Sequence, residues 1–199
     1  MLELLELIRT RRSIRRYEAR AVSPALVDQL LEAATWAPSA HNRQPWRFVV
    51  IANDGPKREL AAAMGARLRQ DLTADGAPPE VIARDAERSY TRITAAPLLI
   101  LVCLTMEDMD AYPDARRATN ESIMAMQSAA MAGQNLLLAA HALGLGACWL
   151  CAPLFCPDVV RRTLTLPGDW QPQGLITIGY PAEAKEKTRH PLGTRVLYR

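Results

Sequence analysis

Residues 129–154 form an Ala- and Leu-rich segment that is long enough to cross a lipid bilayer, so its interpretation decides which classes of fold are open to the chain. The segment contains the polar residues Gln134 and His141 and is interrupted by Gly144 and Gly146. Polar side chains and breaks of this kind are disfavoured in a membrane-spanning helix. The segment therefore predicts a buried helix followed by a strand, in a soluble protein without a membrane partner.

Helical spacing extends this apolar segment towards the N-terminus and predicts one long helix over residues 114–143. Its second half is apolar nearly all round, and such a helix must be buried on most of its sides. A chain of 199 residues rarely buries a helix so completely by itself. We therefore expect a subunit interface along part of this helix.

The remaining elements mix helices and strands without the strict alternation of a doubly wound sheet, which indicates an α+β domain. Apolar and β-rich runs predict strands at residues 48–52, 97–104, 147–150 and 174–180. Helical spacing predicts helices at residues 2–10, 24–37, 57–70, 80–94 and 157–164. No repeat or linker is visible, so residues 1–199 are expected to form a single domain.

Two helix ends carry local signals. Ser23 is a favoured capping residue, and Pro24 suits the first turn of the helix that follows. Gly144 suits the C-terminal cap of the long helix. The run Gly144-Leu145-Gly146 lacks the third glycine of a dinucleotide loop and does not lie between a strand and a helix, which excludes a Rossmann site.

Arginines concentrate near the N-terminus. Six of the 24 Lys and Arg residues are arginines between residues 9 and 20, and the densest run is Arg11-Arg12-Ser13-Ile14-Arg15-Arg16. Arginine presents a planar fork of donors that suits phosphate, to which Ser13 adds a hydroxyl. On composition alone a solvated basic face is the simpler interpretation. The net charge of +3, with no aromatic stacking pattern, does not indicate a nucleic-acid partner.

The cysteines are expected to be free thiols. No secretory signal is visible at the acidic, amphipathic N-terminus, which favours a reducing cytoplasmic location. Cys148 and Cys151 have the spacing of a metal or redox pair, but only Cys156 and His141 lie nearby, and a zinc site needs four well-spaced ligands. We therefore expect no metal, and we find no constellation of catalytic side chains.

Polar residues between two prolines, at positions 38–46, lead into a buried strand. Their small and amide side chains would suit close approach to a planar ligand, although helix–strand connections of this composition are common. Taken together, the following features resemble the FMN-dependent nitroreductase family over essentially the whole chain: Arg-Arg-Ser-x-Arg at residue 11, Pro-Ser-Ala-x-Asn-x-Gln-Pro-Trp-x-Phe at residue 38, Gln134-Asn135, Gly-Leu-Gly at residue 144 and Lys-x-Arg-x-Pro at residue 187.

Three further segments resemble one branch of that family, the nitroreductase-type domain fused to the glutamate ligase of deazaflavin coenzyme biosynthesis. They are Asp71-Leu72-x-x-Asp75-Gly76, the run at residues 112–117 and the run at residues 154–161. In that domain the FMN enzyme reduces a dehydro precursor of the coenzyme. This chain has no ligase domain, so the substrate does not carry over with the resemblance.

The resemblance implies a nitroreductase-like fold with a central mixed β-sheet flanked by helices, in an intertwined homodimer with FMN sites at the interface. Arg11 and Arg189 match phosphate-binding arginines, and Arg15 matches a basic residue near the flavin pyrimidine. Cys151 and Ala152 match the segment whose backbone N–H faces the hydride-accepting nitrogen, where many relatives have Glu-Gly or Gly-Gly. The residues expected to bind FMN are Arg11, Arg12, Ser13, Arg15, Pro38, Ser39, Ala40, Asn42, Gln44, Trp149, Leu150, Cys151, Ala152, Lys187 and Arg189.

The activity implied is hydride transfer from NADH or NADPH through FMN to a flat electron-poor acceptor, such as a nitroaromatic or a quinone, by a ping-pong mechanism. Because the nicotinamide only visits the site, no Rossmann motif is needed. His41, Arg88 and Arg92 are expected to contact the substrate, and residues 65–94 to form a cap over the site. Two alternatives stay open: reduction of a dehydro deazaflavin precursor, and flavin binding without catalysis.

Overall fold

The computed structural model describes residues 3–199, so Met1 of the expected domain and Leu2 of the expected first helix lie outside the described residues. The described strands are β1 (Trp46–Ile51), β2 (Leu98–Leu104), β3 (Gly146–Leu150) and β4 (Gln171–Gly179). The described helices are α1 (Leu4–Thr10), α2 (Pro24–Thr35), α3 (Asp54–Ala74), α4 (Pro79–Thr94), α5 (Ala115–Ala142) and α6 (Pro157–Thr163). Every predicted helix and strand is present within a few residues of its expected bounds, which confirms the α+β class.

The sheet has the strand order β1-β2-β4-β3, and each neighbouring pair is antiparallel rather than mixed as expected. The reason is that α3 and α4 form a helical hairpin between β1 and β2. The hairpin returns the chain to the end of the sheet at which β1 finishes, and β2 therefore runs opposite to β1. A single helix, α5, joins β2 to β3, which therefore run in the same direction with β4 between them. Within residues 3–199 the parallel pairing is one isolated bridge between Ser13 and Ala147.

Strand β2 lies at the centre of the core and is buried along its whole length. Because side chains alternate across a strand, its two faces enter two different hydrophobic clusters. The face that packs with α2 and α5 carries Leu98, Ile100, Val102 and Leu104. The face that packs with α3, α4 and α6 carries Leu99, Leu101 and Cys103. The sheet is therefore covered by helices on both sides, which explains the continuous apolar run of β2.

The two helix ends behave as their residues predict. Ser23 Oγ accepts a hydrogen bond from the backbone N–H of Leu26 at the start of α2. Gly144 has a φ of +74°, and the N–H of Leu145 donates to the carbonyl of Ala140 at 2.8 Å. This Schellman arrangement ends α5 and turns the chain directly into β3.

Helix α5 is buried along one side and leaves apolar side chains exposed on the other. Ile123, Met126 and Met131 are 44%, 44% and 38% exposed, respectively. The expected burial on most sides is therefore incomplete within one chain, and an apolar strip remains on the surface. Of the helices within residues 3–199, none combines the length and the apolar character required to cross a membrane.

Candidate functional site

The arginine run is extended backbone held against the edge of the sheet. The backbone N–H of Ile14 donates to the carbonyl of Ala147 in β3 at 3.1 Å. Gly146 permits this approach, because a Cβ atom there would lie 2.8 Å from Ile14. The Tyr17 hydroxyl donates to the Ile14 carbonyl at 2.6 Å and lies 2.7 Å from Thr177 Oγ1, and burial raises the pKa of this phenol above its ordinary value. The contacts of Ile14 and Tyr17 thus fix this segment against the sheet.

Glu183 ties the C-terminal segment to the arginine run. Its Oε1 accepts hydrogen bonds from the backbone N–H groups of Arg15 at 2.7 Å and Arg16 at 3.3 Å, and it forms a 2.7 Å ion pair with Lys185. Burial would by itself raise the pKa of Glu183, but the bonds from Lys185 and from these backbone groups hold it below its ordinary value. The Glu183 carboxylate is therefore engaged by Lys185 and by two backbone groups, and it does not pair with the guanidinium groups of Arg15 and Arg16.

The residues of the two chain ends meet around a small cavity of about 180 Å³, here called the phosphate pocket. Its lining is Arg11, Arg12, Ser13, Arg15, Lys185, Lys187 and Arg189. All of these residues except Ser13 carry a positive charge, and no carboxylate is among them. The structure thus brings together six expected cofactor-binding residues from positions far apart in the sequence, and adds Lys185.

The positive charges and unpaired donors of the phosphate pocket favour the binding of an anion. Burial, and then the nearby charges of Arg189 and Arg12, lower the pKa of Arg11. The Nε atoms of Arg12 and Arg15 are buried without a hydrogen-bond partner. Donors buried in this way cost free energy unless an acceptor reaches them. A phosphate group carries enough acceptor oxygens and negative charge to satisfy both requirements, so the pocket fits the phosphate of FMN.

A second cavity of about 340 Å³, here called the ring pocket, lies where β3 ends beneath α3 and α4. Its lining is Leu68, Leu72, Asp85, Arg88, Ser89, Arg92, Trp149, Leu150, Cys151 and Ala152. The expected residues Trp149 to Ala152 therefore share a cavity with the expected substrate residues Arg88 and Arg92. The mostly apolar lining suits a planar ring system. The helices that cover it belong to the predicted cap at residues 65–94.

Two glycines position Trp149 in the floor of the ring pocket. A Cβ atom on Gly133 of α5 or on Gly174 of β4 would overlap the Trp149 indole. The indole is therefore held between a helix and a strand that both lack a side chain at the point of contact. This close packing fixes the end of β3, from which Leu150, Cys151 and Ala152 continue.

The four cysteines include the pair Cys148 and Cys151, whose spacing resembles that of a metal or redox site. All four are free, with Cys148 buried and Cys151 exposed. Burial raises the pKa of Cys148, and the nearby charge of Arg15 only partly opposes this. Within residues 3–199, no group of three or more His, Cys, Asp or Glu side chains is placed to hold a metal ion. Cys148 is thus a small buried residue of β3, next to Trp149 of the ring pocket.

The loop at residues 38–46 lies apart from both pockets of the same chain. His41, Asn42 and Gln44 have φ values of 50°, 54° and 52°, in the left-handed region that non-glycine residues rarely adopt. The loop is held in this shape by Ser39 Oγ, which accepts from the backbone N–H of Gln44 at 3.0 Å, and by Ser128 of α5. The linings of the phosphate pocket and the ring pocket of the same chain include none of the expected residues Pro38, Ser39, Ala40, His41, Asn42 and Gln44.

Sequence reasoning missed a third cavity, here called the arginine cleft, of about 850 Å³. Its lining is Arg15, Arg16, Tyr17, Arg84, Glu87, Arg88, Thr91, Arg92, Ala95, Glu183 and Lys185. The four-residue spacing of Arg84, Arg88 and Arg92 could have predicted a basic face of α4. Nothing local in the sequence could have placed Glu183 and Lys185 opposite it.

Arg20 does not line the arginine cleft. It stacks on Tyr180, with 3.8 Å from its guanidinium carbon to the ring centroid.

Comparisons with known proteins agree with this geometry. The model of the Nitroreductase family matches residues 8–180. A protein of Methanothermobacter thermautotrophicus, provisionally named NADH dehydrogenase/NAD(P)H nitroreductase, is 34% identical over 184 residues, which cover 92% of this chain and 79% of that protein. An NADH dehydrogenase of Thermus thermophilus is 32% identical over 214 residues, covering 95% and 92% of the two chains.

A solved structure extends the likeness to the fold. A provisionally assigned nitroreductase of Desulfovibrio desulfuricans, crystallised in complex with FMN, superposes with a TM-score of 0.79 at 34% identity, covering 100% of this chain and 98% of that one. The family model and the relatives at more than 30% identity both span most of the sequence. The chain therefore belongs to the nitroreductase family.

Proposed function

We propose that this protein is an FMN-dependent oxidoreductase that uses NADH or NADPH to reduce a flat, electron-poor acceptor such as a nitroaromatic or a quinone. The observation that carries the proposal is the phosphate pocket, whose six cations have no lining carboxylate and whose buried Arg12 and Arg15 Nε atoms lack acceptors. FMN, when bound, supplies the hydride chemistry, accepting hydride from the nicotinamide and passing it to the acceptor in alternate half-reactions.

The chain's own contribution is to bind and orient. Arg11, Lys187 and Arg189 hold the phosphate, and Ser13 donates to the phosphate or the ribityl chain. Arg15 lines both the phosphate pocket and the arginine cleft, and the cleft adjoins the ring pocket at Arg88 and Arg92. We therefore assign its guanidinium to the ring end of the site. Positive charge at that place stabilises negative charge that develops on the ring during the reaction.

The ring pocket offers an apolar wall to the ring and leaves acid–base chemistry to solvent or substrate. Trp149 and Leu150 form an apolar wall, and the Cys151–Ala152 backbone follows at the end of β3. The thiol of Cys148 stays protonated because burial raises its pKa. No side chain of this pocket is therefore assigned the role of an essential acid or base.

The active species in this proposal is a homodimer in which the loop at residues 38–46 of each chain approaches the ring pocket of the other. Two observations support this assembly. The strained residues His41, Asn42 and Gln44 reach neither pocket of their own chain, and strained backbone is typically retained for a function. The exposed apolar strip of α5 would be covered by the partner.

The proposal is tested by anaerobic stopped-flow measurement on the purified protein loaded with FMN. Mixing with NADH or NADPH should bleach the flavin absorbance, and a nitroaromatic or a quinone added afterwards should restore it. Steady-state rates should give the parallel double-reciprocal lines of a ping-pong mechanism. A flavin that stays oxidised with both nicotinamides would contradict the proposal and would indicate flavin binding without this catalysis.

A second candidate function is reduction of a dehydro precursor of a deazaflavin coenzyme. It is favoured by the segments at residues 71–76, 112–117 and 154–161, which resemble the nitroreductase-type domain of deazaflavin biosynthesis. Turnover of such a precursor by the FMN-loaded protein, at a rate well above that with simple quinones, would support this candidate. Equal or slower turnover of the precursor would count against it.

A further inference from the structure

The arginine cleft joins the ring pocket directly, although the two cavities have different linings. Arg88 and Arg92 of α4 line both of them. Arg84 lies one turn further along α4 and lines only the cleft. Residues four apart share one face of a helix, so these three guanidinium groups form a row that leads away from the ring pocket.

The opposite wall of the cleft is also basic. It carries Arg15 and Arg16 of the extended arginine run and Lys185 of the C-terminal segment. Lys185 is paired with Glu183 at 2.7 Å, and Glu183 also accepts the backbone N–H groups of the two arginines. The side chains of Arg15 and Arg16 thus face the cleft without drawing on this carboxylate.

The cleft holds more positive charge than its own carboxylates can neutralise. Two carboxylates, Glu87 and Glu183, line the cleft against six cations. Asp85, beside the cleft, pairs with Arg84 at 3.3 Å and with Arg88 at 3.0 Å. Within residues 3–199, Arg16 and Arg92 have no carboxylate within 4.0 Å. Burial, and then the nearby charges of Arg15 and Arg88, lower the pKa of Arg92. Like charges gathered in this way raise the free energy of the empty cleft and favour an anion inside it.

The cleft adjoins the phosphate pocket, with which it shares Arg15 and Lys185, but most of its cations lie outside that pocket. Arg11, Lys187 and Arg189 line the phosphate pocket alone, whereas Arg16 and the three arginines of α4 line the cleft and not the phosphate pocket. The cleft volume of about 850 Å³ is at the upper end of the range for small-molecule sites. A flat acceptor or a nicotinamide ring in the ring pocket would leave this space free for the rest of a larger molecule.

We infer that the arginine cleft binds the phosphate groups of the substrate that reacts in the ring pocket, so that the enzyme selects phosphate-bearing substrates. The inference rests on the proposed function and adds the substrate class. The row of Arg84, Arg88 and Arg92 and the facing Arg16 bind the phosphate oxygens, and the reacting ring extends from there over Trp149. The phosphate groups belong either to the nicotinamide donor or to the acceptor.

The site itself is tested by calorimetric titration of inorganic pyrophosphate into the FMN-loaded protein, in which the cofactor fills the phosphate pocket. The variant is Arg16→Gln with Arg84→Gln, since neither residue lines the ring pocket or the phosphate pocket. The matched control is Arg69→Gln with Arg162→Gln, which removes the same charge from exposed positions outside the cleft. Since each arginine supplies a charge-assisted bond, the cleft variant should bind pyrophosphate at least about tenfold more weakly than the control does.

The source of the phosphate is tested with substrates of different charge. Stopped-flow reduction of the flavin compares NADPH and NADH with reduced nicotinamide riboside, which has no phosphate. Its reoxidation compares a neutral quinone with a phosphate-bearing quinone. A preference for phosphate in the first series, lost in the cleft variant, assigns the cleft to the donor, and the same result in the second series assigns it to the acceptor.

The inference and the proposed function fail in different ways. If no nicotinamide reduces the flavin, the proposed function is contradicted whatever pyrophosphate does. If the flavin is reduced and reoxidised normally, but rates in both series are independent of phosphate, the inference about the cleft is overturned. Equal pyrophosphate affinity in the cleft variant and the control variant would overturn it as well.

Discussion

The carboxylate of Glu183 accepts a hydrogen bond from the backbone N–H of Arg15 at 2.7 Å, so the C-terminal segment holds the arginine run in place. The same carboxylate accepts from Arg16 and pairs with Lys185. A single acidic side chain thus shapes the border between the phosphate pocket and the arginine cleft. Because this carboxylate is engaged by Lys185 and by backbone donors, it does not pair with the guanidinium groups of Arg15 and Arg16.

Replacement of this residue, Glu183→Ala, should leave two backbone donors without their acceptor and loosen the arginine run. We expect a loss of about 0.5–1.5 kcal/mol in the free energy of unfolding, the usual net contribution of a hydrogen bond, because the two donors are only partly buried. FMN affinity should fall as well, because Arg15 loses the contact that fixes its backbone beside the phosphate pocket. Urea denaturation and titration of FMN fluorescence measure the two effects.

The control for this substitution is Glu186→Ala, which removes an exposed acidic residue of the same segment. It should change the free energy of unfolding by less than about 0.5 kcal/mol. If Glu183→Ala behaves like this control in both measurements, Glu183 does not organise the site.

His141, which lies near the phosphate pocket, should make the free energy of unfolding depend on pH. Burial, and then the charges of Arg11 and Arg12, lower its pKa below the ordinary value of 6.5. The folded chain therefore holds this proton less tightly than the unfolded chain, so stability is full above pH 6.5 and declines as the pH falls below it. The free energy of unfolding of the wild type should decline in this range relative to that of His141→Gln.

Binding of FMN should raise the pKa of His141, because a phosphate dianion offsets the charges of Arg11 and Arg12. Titration of the imidazole signals by NMR, with and without FMN, measures this shift. A pKa of His141 that FMN leaves unchanged, or lowers, would place the phosphate away from these arginines.

The packing of Trp149 against Gly133 predicts a specific pair of mutational effects. Gly133→Ala forces a methyl group into the indole and should destabilise the fold by about 1–3 kcal/mol, the usual cost of overpacking. Adding Trp149→Leu should recover part of this loss, since the overlapping atoms are removed. Thermal or urea unfolding of the two single variants and the double variant gives the coupling energy.

The control for the packing prediction is Gly55→Ala in α3, where a Cβ atom meets no other group within 4 Å. Alanine favours a helix more than glycine does, so this change should be neutral or stabilising by up to about 1 kcal/mol. Additive effects of Gly133→Ala and Trp149→Leu would show that the two residues are not coupled.

The exposed strip of α5 predicts a dimer that charge can disrupt. Ile123→Asp with Met126→Asp should place two carboxylates in the proposed interface and shift the protein from dimer to monomer in sedimentation-velocity experiments. FMN affinity should fall in the same variant, because a monomer lacks the loop at residues 38–46 that the partner would place at its ring pocket. Gln70→Asp, at an exposed site on α3, should leave the dimer intact, and a monomeric wild-type protein would refute the assembly.

Local signals in the sequence sufficed to predict the position of most helices and strands. Ser23 and Gly144 marked helix ends, and the apolar run of β2 marked a strand buried on both faces. The direction of the strands did not follow from these signals, because it depends on the helical hairpin between β1 and β2. The mixed sheet that the family resemblance implied is wrong, since all three strand pairs are antiparallel.

The candidate site was predictable only where residue type and family resemblance coincided. The pocket shared by Arg11, Ser13 and Arg189 followed from the resemblance, whereas charge alone favoured a solvated face. Glu183 and Lys185 carried no signal, since their role comes from contacts with residues about 170 positions away. The roles of the loop at residues 38–46 and of His41 remain predictions, because they depend on a second chain.

The central claim is that the phosphate pocket binds FMN, and flavin binding to the purified protein tests it most directly. Wild-type protein should bind one FMN per chain without a covalent bond, and Arg11→Ala with Arg189→Ala should weaken binding by at least about a hundredfold while the far-ultraviolet circular dichroism stays native. Arg9→Ala, an exposed arginine of α1, is the matched control and should bind FMN normally. Full FMN affinity in the double variant, or a wild-type protein that does not bind FMN, would contradict the claim.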